Sequence, residues 1–149
     1  RFYIFNIQFK NKIQFDINRE QYMTDLNRDH NRLVWFDLPV VELQRAVSFY
    51  KAVLDIDVFI EKFGDIEFAV LSHEKGNGGC LVVQPENVGH QGALIYLNVH
   101  GRIRDAQQQV VEQGGKVIEA IHAIGPHGFR VLIEDSEGNR LALHSEVNS

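Results

Sequence analysis

The sequence predicts an α+β fold made of two βαβββ modules, and three observations carry that prediction. The same succession of apolar runs occurs twice, at a spacing of about 60 residues. Two segments place apolar residues at helical intervals. Each of these is followed by three strand-like runs separated by turn residues.

In the first module, LVWFDLP (33–39) reads as a strand feeding a helix from about Val41 to Leu54. Leu43, Ala46, Val47, Tyr50, Val53 and Leu54 fall on one stripe of that helix. Strand-like runs follow at 57–63, 66–72 and 80–85, with GNGG (76–79) as a turn signal. In the second module, ALIYLNV (93–99) precedes a helix from Arg102 to Gln113, whose inner face is Ile103, Ala106, Val110 and Val111. Gly114 and Gly115 stop it, because glycine accepts the left-handed backbone of a helix C-terminus. Runs at 116–124, 129–135 and 140–146 follow, separated by GPHG (125–128) and SEGN (136–139). The modules therefore occupy about 33–86 and 92–146 of a single domain, 33–146.

The segment ahead of them has a different composition. Residues 1–22 contain no Ala, Gly, Val, Leu, Ser, Thr or Pro and carry a charge of +2, against −7 for the remainder. Phe5, Ile7 and Phe9, and then Ile13, Phe15 and Ile17, alternate on either side of KNK, the pattern of a β-hairpin. Met23 reads as an ordinary protein start, so residues 1–22 are expected to be an arm of accidental origin lying on the domain or on a partner chain, and 23–32 a lead-in.

Composition narrows the function. A net charge of −5 without a Lys/Arg run argues against nucleic acid. No apolar run approaches the roughly 20 residues that cross a bilayer, and no signal peptide is apparent. The single cysteine, Cys80, fits a cytoplasmic location.

A doubled βαβββ unit with VSFYKAVL (47–54), YLNV (96–99), GGKV (114–117) and the final hairpin DSEGNRLALHS (135–145) resembles the vicinal oxygen chelate superfamily. Glyoxalase I, extradiol dioxygenases, fosfomycin resistance proteins and bleomycin resistance proteins belong to it. The resemblance implies a cupped, mostly antiparallel sheet with helices outside, the glyoxalase-like fold. It also implies metal ligands at three strand positions, which correspond here to Trp35, Leu94 (or Ala93) and Ala142. Indole and hydrocarbon offer no lone pair to a transition metal, so no metal and no cofactor are expected. The other histidines show no HxH or HExxH spacing.

Strand alternation then sets out a lining. Trp35 and Asp37 share one face of the first strand, and Leu94, Tyr96 and Asn98 one face of the strand opening the second module. Arg130, Leu132 and Glu134 share a face of the penultimate strand, as Ala142 and His144 do of the last. Trp35, Leu94, Tyr96, Asn98, Arg130, Leu132, Ala142 and His144 are the expected ligand contacts. Each has a plainer reading: Trp35 and Tyr96 as core, Asn98 as a backbone cap, Arg130 and Glu134 as a rim pair, His144 as a structural hydrogen-bonder.

Two functions stay open. One is a binding protein that sequesters a toxic or cationic small molecule, as the bleomycin resistance branch does. The other is a metal-independent isomerase, epimerase or lyase moving protons with His144 and a carboxylate, Asp37 or Glu134, whose pKa an apolar cup would raise. A metal enzyme with relocated ligands stands well behind. The resemblance implies a homodimer.

Overall fold

The computed structural model describes residues 33–149. The expected N-terminal hairpin, the lead-in and His30 lie outside the described residues. The chain divides into two compact units, a small one whose described part is 33–35 and 73–78, and a large one of 36–72 and 79–149. In the small unit the Trp35 indole meets the His73 ring edge-on, with centroids 5.7 Å apart, and His73 Nδ1 lies 3.1 Å from the Gly76 carbonyl.

The elements run β1 (Trp35–Val40), α1 (Leu43–Leu54), β2 (Val58–Phe63), β3 (Ile66–Leu71), β4 (Gly78–Val83), β5 (Tyr96–Asn98), α2 (Ile103–Glu112), β6 (Lys116–Ala123), β7 (Phe129–Glu134) and β8 (Arg140–Ser145). This is βαβββ twice, as the repeat predicts. Each module forms its own four-stranded sheet, in the orders β1-β4-β3-β2 and β5-β8-β7-β6. Most pairings are antiparallel, but β5 runs parallel to β8, a pairing that needs a crossover connection, supplied here by α2, β6 and β7.

Alternation along the strands separates the two faces of each sheet. Leu38 and Val40 of β1, Ala69 and Leu71 of β3 and Leu81 of β4 turn into a core shared with both helices. In the second module Leu97, Val131, Ile133, Leu141 and Leu143 do the same. The α1 stripe buries Leu43, Ala46, Val47, Tyr50 and Val53, and Phe49 with them. Each buried aliphatic or aromatic side chain contributes about 1.5–3 kcal/mol through burial.

Element ends move by one to a few residues, and one inward position differs from expectation. Val111 was placed on the inner stripe of α2, yet it is 60% exposed; one residue turns the helix by about 100°, and Val110 takes the inward place. The strand β4 begins at Gly78, two residues earlier than the sequence suggests, and a Cβ at Gly79 within it would stand 2.6 Å from the Phe36 ring. The strand β5 is shorter than 93–99, although Ala142 N–H still donates to the Ile95 carbonyl at 3.0 Å.

The β7–β8 turn is tied to the first module. Glu137 accepts from Val41 N–H at 2.8 Å and Glu42 N–H at 2.7 Å, and pairs with Arg45 Nε at 2.7 Å. Asn139 Nδ2 donates to the Pro39 carbonyl at 2.8 Å. Beneath them Tyr50 O–H donates to the buried Asp135 at 2.5 Å.

Candidate functional site

The face of the second sheet turned away from the core gathers most of the expected lining. Cross-strand partners share a face. Tyr96 is opposite Ala142 and Asn98 opposite His144; Ala142 is opposite Leu132 and His144 opposite Arg130. Tyr96, Asn98, Arg130, Leu132, Glu134, Ala142 and His144 therefore lie together on one surface. Leu132 and Ala142 form an apolar floor, 9% and 0% exposed, while Tyr96 is 45% exposed beside them.

Strand β6 adds two residues that sequence reasoning missed. Glu119 is opposite Leu132 and His122 opposite Arg130, with register shifts on either side of Glu119. Three residues apart, they would fall on opposite faces of a regular strand. The bulge brings both to this face. Lys116 and His90 join the rim through Glu134, with Lys116 Nζ 2.6 Å from Oε1 and His90 Nε2 2.8 Å from Oε2.

The polar contacts define the chemistry. Arg130 Nη1 donates to Tyr96 Oη at 2.6 Å, and Arg130 Nε donates to His122 Nε2 at 3.0 Å. His122 Nδ1 lies 2.9 Å from the Ala120 carbonyl, so the proton sits on Nδ1 and the lone pair on Nε2. His144 Nε2 lies 2.7 Å from the His127 carbonyl and donates to it. Asn98 Oδ1 accepts from His100 N–H at 2.9 Å, capping the turn into α2.

The two carboxylates sit differently from each other. Lys116 and then His90 outweigh partial burial and hold Glu134 below its ordinary pKa, the reverse of the rise that an apolar cup would impose. Glu134 is thereby a fixed acceptor paired with Lys116 and His90, not with Arg130. Asp37, on β1 of the other sheet, is exposed and accepts from the buried Cys80 Sγ at 3.1 Å. Leu94 is half-buried, two residues ahead of Tyr96, with Ala93 exposed beside it. Trp35 belongs to the small unit with His73.

The donor set does not fit the metal that the fold family implies. The residues that the resemblance assigns to those positions, Trp35, Leu94 (or Ala93) and Ala142, carry no imidazole, carboxylate or thiolate. Among the described residues no three His, Cys, Asp or Glu side chains converge on a point that could hold a metal ion.

Two βαβββ modules, each with its own four-stranded sheet, define a glyoxalase-like fold, and sequence comparison agrees. The family model described as Glyoxalase/Bleomycin resistance protein/Dioxygenase superfamily matches residues 32–143, and the chain belongs to that family. Among solved structures, a hypothetical protein from S. aureus is 18% identical, covering 76% of this chain and 92% of that one, with a TM-score of 0.58. A glyoxalase/bleomycin resistance protein/dioxygenase family enzyme from Burkholderia phytofirmans PsJN is 13% identical over 76% and 97%, with a TM-score of 0.60. The fosfomycin resistance protein FosX from Listeria monocytogenes is 10% identical over 77% and 93%, with a TM-score of 0.60. At these identities the likeness is one of fold. A search among curated protein sequences gave no significant match. Among the described residues no helix is long and apolar enough to cross a membrane.

Proposed function

We propose that this protein binds a small organic molecule on the open face of the second-module sheet. One observation carries the reading: the apolar floor of Leu132 and Ala142 is bordered on that same face by Tyr96, Arg130 and His144. An apolar surface with a few convergent polar groups is the usual make-up of a ligand site. A face only one sheet deep covers one side of a ligand, and a second copy of the chain in a two-fold dimer would cover the other.

The test is a fragment library screened by isotope-resolved NMR on the full chain. Hits are expected to shift the amides around Tyr96, Leu132 and Ala142, and a Tyr96→Ala substitution, which removes the exposed ring beside that floor, is expected to weaken them. Hits confined to other surfaces would refute the reading. Sedimentation equilibrium on the same samples reads the proposed dimer.

A second reading, metal-independent proton transfer, is favoured by His144, whose Nε2–H bond to the His127 carbonyl leaves Nδ1 able to accept a proton. Turnover of an identified substrate that survives His144→Ala would remove that histidine as the base.

A further inference from the structure

Resting on the binding reading above, we propose that the ligand is an organic monocarboxylate, received at its charged end by Arg130 and Tyr96. Arg130 is held by hydrogen bonds that do not neutralise it. Both of its hydrogen-bonded neighbours are uncharged: a phenol oxygen at 2.6 Å and an imidazole nitrogen at 3.0 Å. They orient the guanidinium and leave its charge in place. Among the described residues the carboxylate within ion-pair range is Glu119, 3.8 Å from Nη2 with a side chain 53% exposed. A pair so long and so solvated contributes about 0–1 kcal/mol.

Glu134 makes the contrast on the same strand face. Both of its oxygens are engaged, by Lys116 at 2.6 Å and by His90 at 2.8 Å. The face thus satisfies its acid and leaves its arginine with N–H groups to spare, since a guanidinium presents a planar fork of donors and two of them are used here. Tyr96 adds one more. Its oxygen already accepts from Arg130, so its own O–H points its hydrogen elsewhere. A guanidinium fork beside a phenol O–H matches a carboxylate, which accepts at both oxygens through charge-assisted hydrogen bonds.

The remainder of the ligand follows from what adjoins this pair. Tyr96, 45% exposed, lies opposite the buried Ala142, with Leu132 beyond it, so the acid's body rests chiefly on an aromatic ring. The net charge of −5 favours cations only at range, and salt screens that field beyond about 10 Å at 0.1 M. At contact distance the donors on the face decide.

Benzoate and benzamide, which share a ring and differ in charge, test the proposal by NMR titration of the full chain. Benzoate is expected to shift the amides around Tyr96, Arg130, Leu132 and Ala142, and to bind about tenfold more tightly than benzamide. Arg130→Gln is expected to erase that preference, and Tyr96→Phe to reduce it by about threefold. Equal binding of the two probes, or a preference that survives Arg130→Gln, overturns the acid inference and leaves the binding face standing. A face unmoved by benzoate also overturns it, and the fragment library then judges the face separately. Should Arg130→Gln fail to fold, the comparison of the two probes on the unaltered chain still decides.

Discussion

Asp135 is a buried acid whose two oxygens are both taken up by the fold's own donors. It is 2% exposed, its Oδ1 accepts from the Glu137, Gly138 and Asn139 amides, and its Oδ2 accepts from Tyr50 and the Asn139 side chain. Removing it strands several buried donors, so Asp135→Ala is expected to destabilise by at least about 3 kcal/mol. Tyr50→Phe should cost about 2 kcal/mol, both read from urea denaturation midpoints. Burial and the neighbouring Asp135 charge push the Tyr50 hydroxyl well above its ordinary range, so it remains a donor throughout the working pH range. Glu137 gives the acid limb. Burial opposes its charge, but Arg45, the Glu42 and Val41 amides and Ser136 outweigh burial and hold its pKa below 4.5. A depressed carboxylate contributes stability above its unfolded pKa and loses it as pH falls through the folded one. Stability should therefore decline below about pH 4.5, and Glu137→Gln should flatten that decline while lowering stability at pH 7. The DSEGN turn was legible as a turn from its residues. Its second role, an acidic anchor for a helix nearly a hundred positions earlier, leaves no local pattern to read.

At the scale of elements, the sequence announced the helices and strands well because apolar periodicity is enforced by burial. The α1 stripe recovered five of the side chains that are buried and omitted Phe49, whose position lies beside the stripe and packs edge-on to Tyr50 at 5.1 Å. Expected lining residues on β5, β7 and β8 came together because those strands are regular. Glu119 and His122 escaped because the β6 bulge breaks the two-residue period on which the expectation relied. The double glycine after α2 likewise hides two roles. Gly114 has a left-handed φ of +86°, the expected C-terminal stop, whereas a Cβ at Gly115 would stand 2.6 Å from the Glu134 carbonyl and 2.8 Å from the Phe49 ring. Gly115→Ala should therefore cost about 1–3 kcal/mol by forcing β7 and α1 apart. The penalty would appear as a lowered melting temperature, with far-ultraviolet circular dichroism unchanged.

For the whole molecule, the repeated module suggests two separable copies, and the contacts argue otherwise. The helix α1 is gripped at its start by Glu137 and at its end by Arg102, whose Nη1 donates to the Val53 carbonyl at 2.8 Å. One continuous core draws side chains from both modules. A polypeptide of residues 33–90 alone is expected to lack cooperative unfolding, because its helix loses both anchors and its apolar stripe half its cover. Mixed with residues 91–149, it should regain a single sharp transition; independent melting of the first piece would show the grips to be incidental. The two repeats, by these contacts, depend on each other. Severing the peptide link between the halves should be tolerable, whereas depriving either half of its twin should not.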